Sequence, residues 1–239
     1  MAEDDGSFAG DGKGSQEFRL RGGRTVRLIE EQPQEEFAPI FSDAWTGSRV
    51  WGAAHVLTSH MSDLAEAGGL RGARVLELGA GPGMCGLAAA ALGAASVALT
   101  DQKAMVSLLE RNIKLNPELG GAVTAAELNW GGPHAGVAPY DVVLVSDCVN
   151  ILYGEASFGQ LAGTIHALCA PRGVCLLTHA ERAKVGAEET GFNRFTRLCE
   201  SRGLSVRRLE CVRAPAEKED SEDIGLYEIR HGGSSLEAS

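Results

Sequence analysis

Residues 75–87 read VLELGAGPGMCGL. An apolar run carries a carboxylate at Glu77, glycines follow at 79, 81 and 83, and small apolar residues then open a helix. Glycine permits a left-handed turn and a close approach of backbone to a ligand. The amides at the start of the next helix favour an anionic group. In open α/β sheets this strand-to-helix turn lies beyond the carboxyl end of a strand, where ligands bind.

Outward from this turn the pattern alternates strand and helix. ARVLEL (73–78) is expected as a strand and MCGLAAAAL (84–92) as a helix. SVALT (96–100) is a strand, and KAMVSLLERNIKL (103–115) a helix with Ala104, Leu108 and Leu115 inward. AVTAAEL (122–128) and YDVVLVS (140–146) are strands, SFGQLAGTIHALC (157–169) a helix and GVCLLTH (173–179) a strand. GFNRFTRLCESR (191–202) is a helix, and LSVRRLEC (204–211) and IGLYEIR (224–230) are the last strands. Helical crossovers imply a doubly wound, mostly parallel α/β sheet. Seven strands are expected, and the final two, with no helix between them, pair as an antiparallel hairpin.

Upstream, EFRLRGGRTVRLIE (17–30) predicts a hairpin around Gly22-Gly23. VWGAAHVLTSHMSDLAEA (50–67) predicts an amphipathic helix with Val50, Ala53, Ala54, Leu57, Met61 and Leu64 on its stripe. The Gly- and Asp-rich residues 1–16 and the segment 232–239 are read as disordered tails. A single domain is assigned to 17–231, with 17–47 as hairpin and linker. RAPAEKEDSED (213–223) is read as an exposed acidic loop.

Composition narrows the function. With 44% apolar and 23% charged residues, this is an ordinary folded chain, and its net charge of −10 disfavours nucleic acid and anionic membranes as partners. GLAAAALGAASVAL (86–99) falls short of the roughly 18 apolar residues of a membrane span. The six cysteines show no CxxC pair, and no histidine has a partner at metal-ligand spacing. No metal is expected, and the setting is reduced and intracellular, cytoplasmic or nuclear. No repeat or coiled coil is present, so a monomer is expected. His179 and Glu181, after the 173–179 strand, are read as a solvated loop near the ligand side.

Two ligands suit the glycine turn. Gly81-Pro82-Gly83-Met84-Cys85-Gly86 matches the GxGxxG of dinucleotide sites, with a carboxylate about 20 residues on, at Asp101, to take ribose hydroxyls. Glu77, two residues before Gly79, instead gives ExGxGxG, and dehydrogenase domains of this type do not usually have a terminal antiparallel hairpin. Both features favour S-adenosylmethionine. Asp101 also suits the cap of the following helix.

The motifs Val50-Trp51, LELGAGPGMCGL, LTD, ELNWG and VVLVSDCV follow in order through the chain. In them it resembles the eukaryotic seven-β-strand protein-lysine methyltransferases, the group acting on elongation factors, Hsp70-type chaperones, valosin-containing protein and calmodulin. The resemblance runs from about Arg19 to Tyr227-Glu228. It implies a Rossmann-like fold, S-adenosyl-L-methionine as cofactor and a protein lysine as acceptor. It places Trp51 near the methionine end of the cofactor, with Glu77, Gly79, Ala80, Gly81 and Gly83 forming the glycine motif. Asp101, with Gln102 beside it, would hold the ribose, Asn129 and Trp130 the adenine, and Ser146 would close the pocket. Asp147 would face the incoming lysine as a positioning acceptor. The family's usual Asp-x-x-Tyr is here Asp147-Cys148-Val149-Asn150, with the next tyrosine at 153. Either Tyr153 enters the gap or Asn150 supplies an amide there. That departure keeps open a catalytically silent cofactor-binding interaction module, and the GxGxxG match keeps open a NAD(P)-dependent oxidoreductase.

Overall fold

The computed structural model describes residues 14–30, 47–150, 153–181, 190–213 and 222–232. The two termini, the segment 31–46 and most of the acidic loop lie outside these residues.

The predicted hairpin is present. β1 (Ser15–Arg19) and β2 (Thr25–Ile29) pair antiparallel as a separate two-stranded sheet. Gly22 and Gly23, at φ 80° and 78°, make the turn between them. β1 begins two residues inside the stretch read as a tail. Alternate residues Phe18, Val26 and Leu28 point inward and are buried.

α1 (Gly52–Glu66) buries Ala53, Ala54, Leu57 and Met61. Val50 and Trp51 precede it, and Trp51 is its N-cap residue in extended backbone. Next come β3 (Arg74–Leu78), α2 (Met84–Ala91), β4 (Ser96–Asp101), α3 (Lys103–Lys114), β5 (Val123–Glu127) and β6 (Tyr140–Ser146). α4 (Glu155–Leu168), β7 (Cys169–Ala180), α5 (Gly191–Glu200), β8 (Leu204–Arg213) and β9 (Asp223–His231) complete the domain. The order across the sheet is β5-β4-β3-β6-β7-β9-β8. All pairs are parallel except β7 with β9 and β9 with β8. The expected terminal hairpin therefore exists, but its second strand lies inside the sheet, between β7 and β8.

Strand alternation splits the core into two layers. Val75, Val142 and Leu144 face α1, α2 and the hairpin. Leu76, Leu78, Val143 and Val145 face α4 and α5, where Phe158, Leu161, Ile165 and Phe195 meet them. Strands buried on both faces read as continuous apolar runs, as 142–145 does. One inward assignment fails. Ala104 is exposed, and Met105, Leu108, Leu109 and Asn112 form the buried face of α3. These four follow the i, i+3, i+4, i+7 spacing of one helical face, which leaves Ala104 off the stripe.

Candidate active site

β3, β4 and β6 end side by side, and the loops after them surround a cavity of about 560 Å³. That is the size of a pocket for one small-molecule ligand.

The glycine turn forms one wall. Gly79 and Gly81 have φ of 63° and 54°, and both line the cavity with Ala80. A Cβ at Gly79 would meet Cys148 Sγ at 2.6 Å, and one at Gly81 would meet the Gly47 carbonyl oxygen at 2.6 Å. Glycine is thus required by the surrounding packing, independently of any ligand. Gly83 has a different task from the one expected of it. It does not line the cavity but caps α2 in left-handed backbone, where a Cβ would lie 2.9 Å from Leu99 Cδ1.

Glu77, on β3, is 2% exposed, and its Oε2 accepts from the Gly86 backbone N–H at 2.7 Å. A side chain at Gly86 would collide with that oxygen and with Leu99. Burial pushes the Glu77 carboxyl up to about 8, with the Gly86 hydrogen bond opposing it. Asp101, at the end of β4, accepts from Gly81 N–H at 2.8 Å and from Gln102 N–H at 2.7 Å. Burial raises this carboxyl too, against those two N–H groups. Each carboxylate oxygen accepts about two hydrogen bonds, so both oxygens of Asp101 retain capacity for hydroxyl groups. α3 is capped at Gln102 with no side-chain bond, so Asp101 is not its N-cap.

Asn129 and Trp130 follow β5 and line the cavity with Leu128, the Trp130 ring packing beside Gly79. Asn129 Nδ2 donates to Glu127 Oε1 at 3.0 Å. Gly131 fixes the loop by donating to Thr164 Oγ1 at 2.9 Å, which holds Trp130 half-buried against the cavity. Trp51 sits at the rim, 38% exposed, with the Arg49 guanidinium 5.9 Å above its ring. It is therefore a surface residue of the cavity and not part of the core.

β6 delivers Ser146, Asp147 and Cys148 to the same space. Asp147 has φ 51°, the one non-glycine residue in left-handed backbone among the described residues. Such a conformation costs about 1–2 kcal/mol and marks functional positions. Its N–H donates to Thr178 O at 2.8 Å, and its Oδ1 accepts from Ala180 N–H at 3.2 Å. His179 is not on a loop. It lies within β7, stacked on Phe192 at 4.7 Å, with Nδ1 3.7 Å from Asp147 Oδ1. Asn150 and Tyr153 both line the cavity, and Tyr153 meets Trp130 edge-on at 6.2 Å. Sequence reasoning missed Arg49, Met84, Leu128, Cys148 and Gln160 as lining residues, and only packing brings them together.

A doubly wound sheet with β9 inserted antiparallel, and a cavity walled by a glycine turn, a ribose-type carboxylate and an indole, defines an S-adenosylmethionine-dependent methyltransferase. The cradle fits that cofactor, because the backbone approaches without side chains at 79 and 81 and Asp101 keeps acceptor capacity. Residues 42–197 match the lysine methyltransferase family, to which this chain belongs. Its relatives include mouse EEF1A lysine methyltransferase 3, 33% identical over 77% of this chain and 72% of the relative. The zebrafish protein N-lysine methyltransferase METTL21A is 38% identical over 69% of this chain and 70% of the relative. In fold alone, it is similar to the magnesium protoporphyrin IX methyltransferase of Synechocystis with bound cofactor, at TM-score 0.56 and 19% identity. That likeness covers 81% of this chain and 86% of the other. The family replaces the nicotinamide reading: the chain is a protein-lysine methyltransferase.

Proposed function

We propose that this cavity holds S-adenosylmethionine with its methionine end at Gly79–Gly81 and Trp51 and its ribose on Asp101. The adenine then lies against Asn129 and Trp130, and the target lysine enters beside Asp147. The bound cofactor supplies an activated methyl group. One observation carries the reading: the glycine turn, Asp101, Trp130 and Asp147 border a single cavity although they come from four different strand ends.

The residues then have separable tasks. A free lysine has a pKa of about 10.4 and arrives as an ammonium. Asp147, fixed through Ala180 N–H and Thr178 O, meets that ammonium with its carboxylate and orients it. A carboxylate raises an amine's pKa, so Asp147 aligns the nucleophile, and the proton leaves to water. Alignment of this kind is worth about 10²-fold or more. Ser146 closes the floor. Tyr153, in edge contact with Trp130, supplies the aromatic wall of the lysine channel, and Asn150 borders it with an amide.

The enzyme acts as a monomer in the cytoplasm or nucleus, and its substrate is a folded protein. The mouse relative's name makes EEF1A the first candidate. Asp147→Asn tests the mechanism, because Asn tolerates left-handed backbone and keeps an acceptor for Ala180 N–H. Binding of S-adenosylhomocysteine should stay within about threefold, while transfer of labelled methyl to substrate falls about 10²-fold. Unchanged transfer would refute the role given to Asp147.

A further inference from the structure

We infer that the N-terminal hairpin positions the cofactor cavity, through Glu30 acting on the segment 47–51 and Asn112 acting on the glycine turn. The inference rests on the placement of the cofactor in that cavity.

The segment 47–51 crosses the glycine turn. Gly47, Arg49, Val50 and Trp51 line the cavity, and the Gly47 carbonyl oxygen lies 2.6 Å from where a Cβ of Gly81 would stand. Glu30, directly after β2, holds this segment: its Oε1 accepts from the Val50 backbone N–H. Its other oxygen accepts from Gln16 Nε2 of β1 at 2.9 Å, so the carboxylate is oriented by the hairpin itself. Val50 immediately precedes Trp51, and the tether therefore fixes the rim residue of the cavity.

The hairpin is in turn registered on α3. Asn112 Oδ1 accepts from Ile29 N–H at 2.7 Å, and its Nδ2 donates to Ile29 O at 3.0 Å. Asn116 repeats the pair on Arg27, at 2.8 and 2.6 Å. The spacing explains the fit. Asn116 lies just past the α3 C-cap Leu115, about one helical turn beyond Asn112, and two strand residues span about 6.7 Å, so the two amides meet alternate strand residues. Asn112 also donates to the Pro82 carbonyl at 2.8 Å, inside the glycine turn, and is fully buried. One amide thus ties the edge of β2 to the turn, while Glu30 ties its end to the segment lying over that turn. The glycine turn and the segment lying over it are thus both tied to the hairpin.

Glu30 is only half-buried, so its replacement leaves the core intact. Glu30→Ala should weaken binding of S-adenosylhomocysteine, read by calorimetry, about tenfold, the loss expected from one hydrogen bond at a tethered wall. The melting temperature should move by no more than about 3 °C. Glu30→Gln keeps an acceptor for Val50 N–H and should restore affinity to within about threefold. Wild-type affinity in Glu30→Ala, or equal weakening in both variants, overturns the inference. A wild-type protein that does not bind the compound overturns the cavity assignment itself.

Discussion

Replacing Glu77 by glutamine isolates a single buried proton. The carboxyl lies on the inner strand β3 between Leu99 and Leu144, 2% exposed, under the first turn of α2. Burial moves its pKa from 4.5 to about 8. The folded state therefore holds this proton more tightly than the unfolded chain does. The stability it contributes is complete below about pH 4.5 and is lost as pH rises through about 8. The full gap corresponds to roughly 5 kcal/mol, and roughly 4 kcal/mol of it falls between pH 5 and pH 9. Glutamine has nearly the same shape, keeps an acceptor for Gly86 N–H and does not titrate. Urea unfolding of ligand-free wild type and Glu77→Gln at unit steps from pH 5 to pH 9 reads the difference directly. Wild-type stability should fall relative to the variant by roughly 4 kcal/mol across that range, with most change below pH 8. Parallel stability curves would refute the reasoning, because they would mean that Glu77 ionises as readily in the fold as in water.

Gly81→Ala places a methyl group against the Gly47 carbonyl, at a residue with φ 54°. It should cost about 1–2 kcal/mol of stability and at least about tenfold in S-adenosylhomocysteine affinity; calorimetry showing wild-type affinity would contradict the described contact. Five of the six cysteines are buried and only Cys211 is exposed, and burial pushes the Cys85 and Cys148 thiols well above their usual range. A disulfide reagent at pH 8 should therefore label one thiol quickly and the other five only on unfolding.

How much was legible follows from what each signal encodes. The β3–turn–α2 unit was readable because alternate glycines, an apolar run and a small-residue helix all point to one local geometry. Asp101 was readable because it ends a strand, and strand ends in such sheets share one edge; Trp130 and Asp147 were placed by the family resemblance of ELNWG and VVLVSDCV. The position of β9 was not, since periodicity reports which face of a strand is buried and says nothing of its neighbours. His179 was misplaced because the β7 strand runs on to Ala180, and its ring is held by Phe192, distant in sequence. Asn112 and Asn116 gave no sign at all. Two polar residues on and just past a helix read as solvated surface, and only the arrival of β2 makes them buried partners of a backbone edge.

The insertion of β9 between β7 and β8 bears on how a nascent chain acquires this sheet. β7 and β8 leave the ribosome first, each with a bare row of backbone donors and acceptors facing a gap, and neither can pair with the other across it. Residues 223–231 fill that gap from both sides at once, through Ile224, Leu226, Tyr227 and Ile229. Until they emerge, two open edges are available to other chains, the hazard that sticky strands pose during synthesis. A ribosome that stalled before residue 223 would thus release a protein with its glycine turn already formed, β7 left as an open edge and β8 still seeking its place in the sheet.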